Sequence, residues 1–341
     1  MSSIKDVARV AGVSVMTASR VINMRGSVSP KTRARVTQAI KELDYRPNLT
    51  ARSLRARRSQ LIGLLIPDIE NPIFASLAKH IEEEAQRFGY SVMLGNTWED
   101  ASREARHLEI MMGRQMDGIV IAPVSTENDA LIRQCLTPVV VLDRSLNHNA
   151  PPPAITVDNH EVGRLAARHL VELGHRHFAC LSGPLHIDIF TERLKGFREE
   201  LHRGGCRIEA VLNADKLDKV GYGVEYGNEL LKVCDKRPLA VFCANDLTAL
   251  GTMHAAHRLG LSVPQDIALV GVDDIPAAGL AVPSLTTIRQ PIPEIAAAGV
   301  KLLVDMLNDK EYKPENVTLK PSLVVRESTT RVVGNIRKGN A

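Results

Sequence analysis

Apolar side chains recur at helical spacing in the first 45 residues and predict three short helices. The first helix has its apolar face at Ile4, Val7, Ala8 and Ala11. Ser3 and Asp6 have the spacing of a capping box at its start. Gly12 permits a tight turn, and Ser14 is a typical cap for a second helix from residue 15 to about residue 23. The pattern predicts a helix-turn-helix unit, which places its second helix in a DNA major groove.

A third helix and a basic linker complete this part of the chain. Ser29 and Pro30 form a cap and first-turn pair, and the helix ends near Asp44. Residues 49–58 have helical propensity but are too few for a stable helix in water, so we expect them to fold only on docking. Leu54 lies among the arginines of this linker. It can enter a minor-groove base step or contact the body of the protein, and the pattern leaves both open.

After residue 60, apolar runs of four to eight residues alternate with longer amphipathic segments. Such runs are typical of buried parallel strands, and here they are LIGLLIP, YSVMLGN, DGIVIAP, PVVVLDR, FACLSG, AVFCAND and IALVGVDD. The amphipathic segments predict helices at about 72–88, 101–116, 127–136, 160–174, 190–204, 221–233 and 247–260. The pattern therefore predicts an α/β core of two doubly wound parallel-sheet lobes. A strand LTTIRQP, a helix at about 293–308 and a strand pair near 315–328 are expected to extend the two sheets.

The N-terminal 60 residues, which we call the head and its linker, differ in net charge from the rest of the chain, which we call the core. Residues 1–60 hold 13 Lys and Arg against 3 Asp and Glu, a balance of +10, whereas the remaining residues hold 30 against 36, a balance of −6. Two short helices around a glycine are common in any α-rich chain, so the motif alone does not establish DNA binding. A compact basic segment on a mildly acidic body favours a head that binds DNA phosphates.

Composition narrows the class of protein. In 341 residues, 44% are hydrophobic and 24% charged, which is typical of a globular protein with two or three domains. No apolar run approaches the ~20 residues of a membrane helix and the N-terminus has no secretory pattern, so we expect a cytoplasmic protein. The cysteines have no CxxC spacing and are expected to be reduced. For His169, His175 and His177 we expect solvated or capping roles.

Motifs of catalysis are missing from the sequence. It has no GxGxxG or Walker loop after a strand, no GxSxG elbow and no HxxxH pair with a nearby carboxylate. We therefore expect no enzyme, no metal and no cofactor.

Ligands of open parallel sheets bind beyond the carboxyl ends of the strands. In this chain the side chains at those places are mostly polar: Asp68, Asn71, Phe74, Asp143, Arg144, Asn245, Asp246, Asp273, Asp274 and Gln290, with Arg193 on a helix that follows a strand. Carboxylates, amides, an arginine and an aromatic ring suit a polyhydroxylated ligand such as a sugar. Helix capping is the alternative; it stays open for Asn71 and Asp246, whereas a ligand is favoured at Asp143, Arg144 and Asp273.

Motifs in consistent order along the chain carry a resemblance to a known family. They are IKDVARVAGVSVMTASRVIN, VSPKTRARV, YRPNLTARSL, NPIF, DGIVIAP, GHRHFACLSGP, ERLKGF, FCANDLTALG, VPQDIALVGVDD and PSLTTIRQP. From Ser3 to about Glu327 the chain resembles bacterial transcription repressors of the LacI family, in the ribose- and purine-repressor-like branch. The core of that family is similar to periplasmic sugar-binding proteins of type I.

The resemblance implies a domain order and an assembly. It implies a head at 1–46, a hinge helix at 47–60, an effector-binding and dimerisation core at 61–328 and a tail at 329–341. The first lobe would hold about 61–158 plus 291–320, and the second about 161–288 plus 323–328. It also implies a homodimer, or a tetramer, on a palindromic double-stranded operator. The tail lacks leucine heptads, which favours the dimer.

The resemblance also assigns site residues. The positions that would contact DNA are Val15, Met16, Thr17, Ser19, Arg20, Asn23, Arg52, Leu54 and Arg55. Leu54 matches the family's intercalating leucine, and Arg20 could donate a fork to guanine. The positions that would contact a small-molecule effector are Asn71, Phe74, Asp143, Arg144, Arg193, Asn245, Asp273 and Gln290.

Departures from the family's pockets bear on the effector. Ile73, Ala122 and Val272 occupy positions where ribose-type pockets more often have an aromatic or an amide, and Ile187 stands where the purine-binding branch has an arginine. We therefore expect a different monosaccharide or a sugar acid, and not a purine. A sugar-binding transport protein and a sugar-processing enzyme are the alternatives. The first would lack the basic head, and the second would turn over its sugar.

Overall fold

The computed structural model describes residues 2–22, 27–45, 58–144, 152–213, 220–309 and 311–330. By their packing the residues form two compact units, which divide between Gln60 and Leu61. Most of the hinge segment and most of the tail lie outside the described residues, as do Asn23, Arg52, Leu54 and Arg55. The finer domain limits given above stay predictions.

The head consists of three helices around a small core. They are α1 (Ile4–Val10), α2 (Val15–Ile22) and α3 (Pro30–Glu42). The predicted caps are confirmed: Ser3 and Asp6 form a capping box, the Ser14 hydroxyl accepts from the Thr17 amide at 3.1 Å, and Ser29 caps α3. The buried core side chains are small or β-branched, and they are Val7, Ala8, Ala11, Ala18, Val21, Val36 and Ala39.

The turn between α1 and α2 is fixed by Gly12 and Arg35. Gly12 has a φ of +58°, which favours glycine. The Arg35 guanidinium donates to the Ala11 carbonyl at 2.5 Å and to the Gly12 carbonyl at 3.1 Å. A Cβ on Gly12 would lie 2.5 Å from Nη2 of Arg35. The third helix therefore holds the angle between the other two.

The first sheet of the core is parallel throughout. Its strands are β1 (Leu61–Ile66), β2 (Ser91–Asn96), β3 (Gly118–Ile121), β4 (Val139–Leu142), β5 (Ala154–Val157) and β11 (Val317–Leu319). They lie in the order β11-β5-β4-β3-β1-β2. The helices of this lobe are α4 (Pro72–Arg87), α5 (Ala101–Gly113), α6 (Asp129–Gln134) and α12 (Ile292–Asn308).

The second sheet repeats this arrangement with one antiparallel edge. Its strands are β6 (His177–Ser182), β7 (Ile208–Asn213), β8 (Leu239–Cys243), β9 (Ile267–Asp273), β10 (Thr286–Arg289) and β12 (Ser322–Val324), in the order β12-β10-β9-β8-β6-β7. Only β12 runs antiparallel to its neighbour in this sheet as described. The helices are α7 (Asn159–Glu172), α8 (Asp188–Arg203), α9 (Val220–Val233), α10 (Asp246–Arg258) and α11 (Pro276–Leu280).

The chain passes from one sheet to the other three times. It leaves the first sheet after Val157, returns after Arg289 and leaves again after Leu319. The Asp158 amide donates to the Leu319 carbonyl at 2.9 Å, so two of these crossovers are bonded to each other. A single cluster of buried apolar side chains contains residues of both lobes.

The structure corrects several elements predicted from the sequence. Strands β5 and β7 and helix α11 were not predicted. The two strands expected near 315–328 do extend the existing sheets, β11 the first and β12 the second. The edge strand β7 was missed because its side chains are half-buried or exposed, so that it has no buried apolar run. The two doubly wound lobes and the helical head are confirmed.

The histidine prediction was wrong for two residues. His175 is 1% exposed, and His169 is buried with its Nε2 2.9 Å from the Thr329 hydroxyl. His177 is partly exposed and pairs with Glu209 at 2.6 Å. All the cysteines are free thiols, and they are Cys135, Cys180, Cys206, Cys234 and Cys243. Among the described residues, no helix is long and apolar enough to cross a membrane.

Candidate functional site

The second helix of the head has one buried and one exposed face. Ala18 and Val21 are buried in the core. Met16 is 66% exposed, Val15 is 42% exposed and Arg20 is also exposed. Thr17 and Ser19 are half-buried, and the Thr17 hydroxyl lies 2.9 Å from that of Ser14. The helix therefore presents two apolar side chains at its N-terminal end and one guanidinium in its last turn.

A cavity lies between the two lobes of the core. All eight predicted effector positions line it: Asn71, Phe74, Asp143, Arg144, Arg193, Asn245, Asp273 and Gln290. The rest of its wall is Glu99 and the apolar side chains of Ile73, Leu77, Leu142, Ile189, Phe190, Ile292 and Ile295. This mixture of apolar and polar groups is typical of small-molecule sites.

Arg193 is the centre of the second lobe's side of the cavity. Its Nε donates to Oδ1 of Asn159 at 2.9 Å, and its Nη1 donates to the Ala244 carbonyl at 2.8 Å. Its guanidinium carbon lies 5.6 Å from the centre of the Phe190 ring, within range of a cation–π contact. Burial lowers the pKa of Arg193, and the nearby Asp273 opposes that shift.

Asp273 ends strand β9 beside this arginine. Its Oδ1 accepts from Nε2 of Gln290 at 2.6 Å. Burial raises the pKa of the Asp273 carboxyl from 3.8 to about 6, although Arg193 and Gln290 act in the opposite direction. The residue has a φ of +113°, a conformation that is uncommon outside glycine.

Asp143 and Arg144 form the corresponding corner of the first lobe. Asp143 has a φ of +68°, and the Arg144 amide donates back to the Leu142 carbonyl at 2.7 Å. The side chain of Arg144 is 9% exposed and donates from Nη1 to the Val124 carbonyl. Its Nε is buried and has no hydrogen-bond partner within the part of the chain that the structure describes.

Two of the asparagines at the cavity are also helix caps. Oδ1 of Asn71 accepts from the Ile73 amide at 3.3 Å, and Oδ1 of Asn245 accepts from the Thr248 amide at 2.8 Å. Each cap uses the amide oxygen, which leaves Nδ2 as the group directed to other partners. Capping and cavity lining therefore coincide at these two positions.

Asp246 has neither of the roles that its position suggested. It is fully buried, and Asn245 is the cap of α10. Its carboxylate accepts from the Thr287 hydroxyl at 2.5 Å and from the Ile275 amide at 2.9 Å. Burial raises its pKa well above the usual value. Asp246 thus fixes the loop after β9, the strand that ends in Asp273.

Comparison with known proteins gives consistent matches over nearly the whole chain. The family described as bacterial regulatory proteins, lacI family, matches residues 3–48, and the periplasmic binding protein-like domain matches residues 167–329. The ribose operon repressor of Halalkalibacterium halodurans is 37% identical over 332 residues, covering 96% of this chain and 97% of the relative. The chain belongs to the lacI family of bacterial regulatory proteins. It is a DNA-binding transcription regulator with a ligand-binding core.

Two further lacI-family matches bear on this regulator. The transcriptional repressor PurR of Pasteurella multocida is 35% identical over 331 residues, covering 96% of this chain and 98% of the relative. The structure of the lac repressor dimer bound to operator and the anti-inducer ONPF has a TM-score of 0.84 and 30% identity, and covers 96% of this chain and 99% of that one. Because the ribose operon repressor and PurR are similarly related to this regulator, sequence identity alone does not select the effector.

Three polar or aromatic residues of the site were not found from the sequence of this lacI-family chain. Glu99 follows strand β2, so the strand-end rule applied to that strand would have indicated it. Phe190 lies three residues before Arg193 on α8, a spacing that places both on one helix face. Asn159 follows β5, the strand that was not predicted.

Proposed function

We propose that this regulator is a repressor whose operator affinity is controlled by a monosaccharide or sugar acid bound between the two lobes. The observation that carries this proposal is the convergence of eight polar or aromatic side chains from both lobes on one cavity. Those of the first lobe are Asn71, Phe74, Asp143 and Arg144, and those that follow the first crossover are Arg193, Asn245, Asp273 and Gln290. As a regulator of bacterial DNA it would act in the cytoplasm.

The chemistry of the cavity suits hydroxyl groups. Carboxylate oxygens of Asp143 and Asp273 can accept from sugar hydroxyls, and amide and guanidinium groups can donate to them. Phe74 offers an aromatic face to the apolar side of a sugar ring. Ile73 also lines the cavity, and Ile187 packs with Ile189 and Phe190. These aliphatic groups offer a purine no hydrogen bonds, which supports a sugar over a purine.

The path of the chain suggests how binding would control DNA affinity. The lobes are joined by three crossovers, so an effector that contacts both lobes would stabilise one relative orientation of them. An effector changes operator affinity only to the extent that it binds the two conformations differently. We propose that the change in the relative orientation of the two lobes is transmitted through the hinge segment to the heads of a homodimer.

The proposed DNA contacts follow from the exposed face of α2. Val15 and Met16 can meet a thymine methyl, and Arg20 can donate two hydrogen bonds to guanine. Thr17 and Ser19 are on the same helix and complete the described part of the set. Asn23, Arg52, Leu54 and Arg55 remain proposed contacts. Leu54 would enter the central minor-groove step of the operator.

A ligand screen tests the proposed effector class. Melting temperature would be measured with a panel of aldoses, sugar acids and purines, followed by calorimetry on each compound that shifts it. A ligand at 100 times its Kd adds roughly 2.7 kcal/mol to the free energy of unfolding, which is readily detected. Binding of a sugar or sugar acid supports the proposal, whereas binding of hypoxanthine or guanine alone would refute it.

An operator titration tests the head. Fluorescence anisotropy with selected palindromic DNA should show affinity that falls steeply as salt rises. Arg20→Ala should weaken binding by about 5- to 150-fold, equivalent to ~1–3 kcal/mol, because a base contact is lost. Gln38→Ala on the exposed face of α3 is the matched control and should bind normally. Equal affinities of Arg20→Ala and the unaltered protein would show that this arginine does not read bases.

A further inference from the structure

We propose that Asp274, with Arg289 and Arg326, forms an ionic clasp through which an effector in the cavity changes the orientation of the two lobes. Asp274 follows Asp273 but is not among the side chains that the structure places at the cavity wall. It would therefore be a positioning residue, which contacts neither effector nor DNA. Without the clasp, the cavity would still bind an effector, but binding would no longer turn the lobes. This inference rests on the proposed function and assigns a residue to its coupling step.

The Asp274 carboxylate bonds to two arginines that flank the crossovers. Its Oδ2 accepts from Nε of Arg289 at 2.7 Å, and its Oδ1 accepts from Nη2 of Arg326 at 2.5 Å. Arg289 is the last residue of β10, directly before the second crossover. Arg326 lies two residues beyond β12, the strand that follows the third crossover. One carboxylate therefore ties together the chain beside two of the three places where it passes between the lobes.

The clasp is largely shielded from water. The side chain of Asp274 is 10% exposed and that of Arg326 is 21% exposed, whereas that of Arg289 is 55% exposed. Burial acts to raise the pKa of Asp274, but the bonds from Arg326 and Arg289 outweigh it, and the pKa lies below the ordinary 3.8. Asp274 is therefore ionised at neutral pH, and its attraction to Arg326 is screened less than that of a surface ion pair.

Both partners of the more buried pair are anchored on the start of β10. Nη1 of Arg326 donates to the Leu285 carbonyl at 2.8 Å, and the Arg326 amide donates to the Thr286 hydroxyl at 2.9 Å. The Asp274 amide donates to the Thr287 hydroxyl at 3.3 Å. Because the guanidinium and the carboxylate are each held by further bonds, the clasp has one defined geometry.

The end of β9 holds the second crossover from the cavity side as well. β9 and β10 pair so that Asp273 lies opposite Arg289, and Oδ1 of Asp273 accepts from Nε2 of Gln290 at 2.6 Å at the cavity wall. Two consecutive acids, Asp273 and Asp274, thus bond to two consecutive residues, Gln290 and Arg289. An effector that bonded to Asp273 or Gln290 would therefore act on a crossover that Asp274 fixes from outside the cavity.

Bonds between the crossovers extend this effect beyond β10. Arg289 is paired with Ser322 in the antiparallel contact of β10 and β12, and the Asp158 amide donates to the Leu319 carbonyl. A change of direction at the second crossover is therefore passed to the other two. A ligand shifts the balance between two conformations only through an element that responds to it, and a loose connection would absorb the effect of the ligand locally.

Operator titrations with and without ligand test the clasp. The panel would be D-ribose, D-gluconate, D-glucuronate and hypoxanthine, and each compound that binds by calorimetry would be added at saturation. The coupling is the ratio of the operator Kd values with and without that compound. In Asp274→Asn this ratio should move toward unity by about fivefold or more, while the Kd of the compound itself stays nearly unchanged.

Asp305→Asn is the matched control. It breaks an ion pair with Lys301 of 2.5 Å at the end of α12 far from the second crossover, and it should keep the coupling of the unaltered protein. Arg326→Gln should act like Asp274→Asn, and the double variant should lose no more coupling than either single variant, because all three remove the same link. A merely structural ion pair predicts lower stability in urea with unchanged coupling, and that result would overturn the inference.

The outcomes separate this inference from the proposed function. If only hypoxanthine binds, the proposed effector class is wrong, and the coupling with hypoxanthine still tests the clasp. If no compound binds or none changes operator affinity, hydrogen exchange of the protein alone decides. Residues 286–292 and the Asp158 amide should then exchange faster in Asp274→Asn than in Asp305→Asn, and equal exchange would overturn the clasp.

A second variant covers the case in which Asp274→Asn does not fold. Arg326→Lys keeps the charge but lacks the planar fork that bonds to Asp274 and Leu285 together. It should lower the coupling and speed the exchange in the same way. Coupling and exchange equal to those of the unaltered protein would contradict the clasp.

Discussion

Nε of Arg193 donates to Oδ1 of Asn159 over 2.9 Å, and this bond joins the cavity to the first crossover between the lobes. Asn159 is the first residue of α7 and follows Asp158, whose amide is bonded to the Leu319 carbonyl at the third crossover. A ligand that displaced Arg193 would therefore act directly on the segments that connect the lobes.

Removal of this bond should weaken both effector affinity and its influence on DNA binding. Asn159→Ala leaves Nε of Arg193 without its acceptor, and a hydrogen bond to a charged group is worth ~1.5–3 kcal/mol. We expect at least a tenfold rise in effector Kd by calorimetry and a smaller effector-induced change in operator affinity. His160→Ala, at the next residue of α7, removes only a pair with Glu199 at the surface and is the control. Equal Kd values for the two variants would contradict the coupling.

Asp273 should make stability depend on pH. Its folded-state pKa of about 6 exceeds the ordinary 3.8, so the folded protein holds the proton more tightly than the unfolded chain. The ionised carboxylate therefore costs stability above pH 6, and this penalty disappears as the pH falls from 6 toward 3.8. A difference of about two pKa units corresponds to roughly 3 kcal/mol.

Asp273→Asn should reveal that penalty. The amide keeps an oxygen for Gln290 but carries no charge, so we expect the free energy of unfolding to rise by up to about 3 kcal/mol at pH 8 and to change little near pH 4. Effector affinity should fall because an acceptor becomes partly a donor. Urea denaturation at both pH values measures the first effect. A gain in stability that is the same at pH 4 and pH 8 would rule out titration of Asp273 as its cause.

His175 should make the protein less stable at low pH, whereas Asp273 makes it less stable at high pH. Burial lowers its pKa from 6.5 to about 4, so the folded protein resists protonation. The contribution of neutral His175 to the free energy of unfolding is fully present above pH 6.5. As the pH falls from 6.5 toward 4, protonation in the unfolded chain lowers the free energy of unfolding by roughly 3 kcal/mol in total. In His175→Leu this loss should be absent. His257→Leu, at an exposed position, is the control and should keep the acid sensitivity in urea denaturation.

Two helical glycines set the distance between α7 and α8. A Cβ on Gly163 would lie 1.9 Å from the Arg193 carbonyl oxygen, and one on Gly196 would lie 1.9 Å from that of His160. Gly163→Ala should therefore separate the helices, lower the free energy of unfolding by ~2 kcal/mol or more, and displace Arg193. Gly221→Ala, with no atom within 4 Å of the new Cβ, should gain up to about 1 kcal/mol. Thermal unfolding of both variants tests whether the first lowers the free energy of unfolding and the second raises it.

The cavity could be predicted from the sequence wherever a strand was recognised. Asp143, Asp273 and Gln290 each follow an apolar run, and the carboxyl ends of parallel strands meet at one edge of a sheet. Asn159 was not predicted because β5, the strand before it, was not recognised. This strand is only four residues long and follows a proline run, so its sequence pattern gives little indication of a strand. A missed strand thus hid the residue that contacts Arg193.

Long-range partners explain the other failures. The bond between His169 and Thr329 joins residues 160 positions apart, and no local pattern indicates it. The same applies to Asp246, whose acceptor role depends on Thr287, which lies 41 positions away on β10. Helix caps, by contrast, involve residues only two or three positions apart, and those at Ser3, Ser14 and Ser29 were all predicted.

The edge strands of both sheets have a consequence for synthesis of the protein. β11 completes the first sheet and β12 the second, and both lie between residues 317 and 324. Neither sheet can therefore be completed on the ribosome until residues 317–324 have been translated. Strand pairs that join residues far apart in the sequence fold slowly. During synthesis each sheet therefore has an unpaired edge strand, and unpaired strand edges are prone to aggregation.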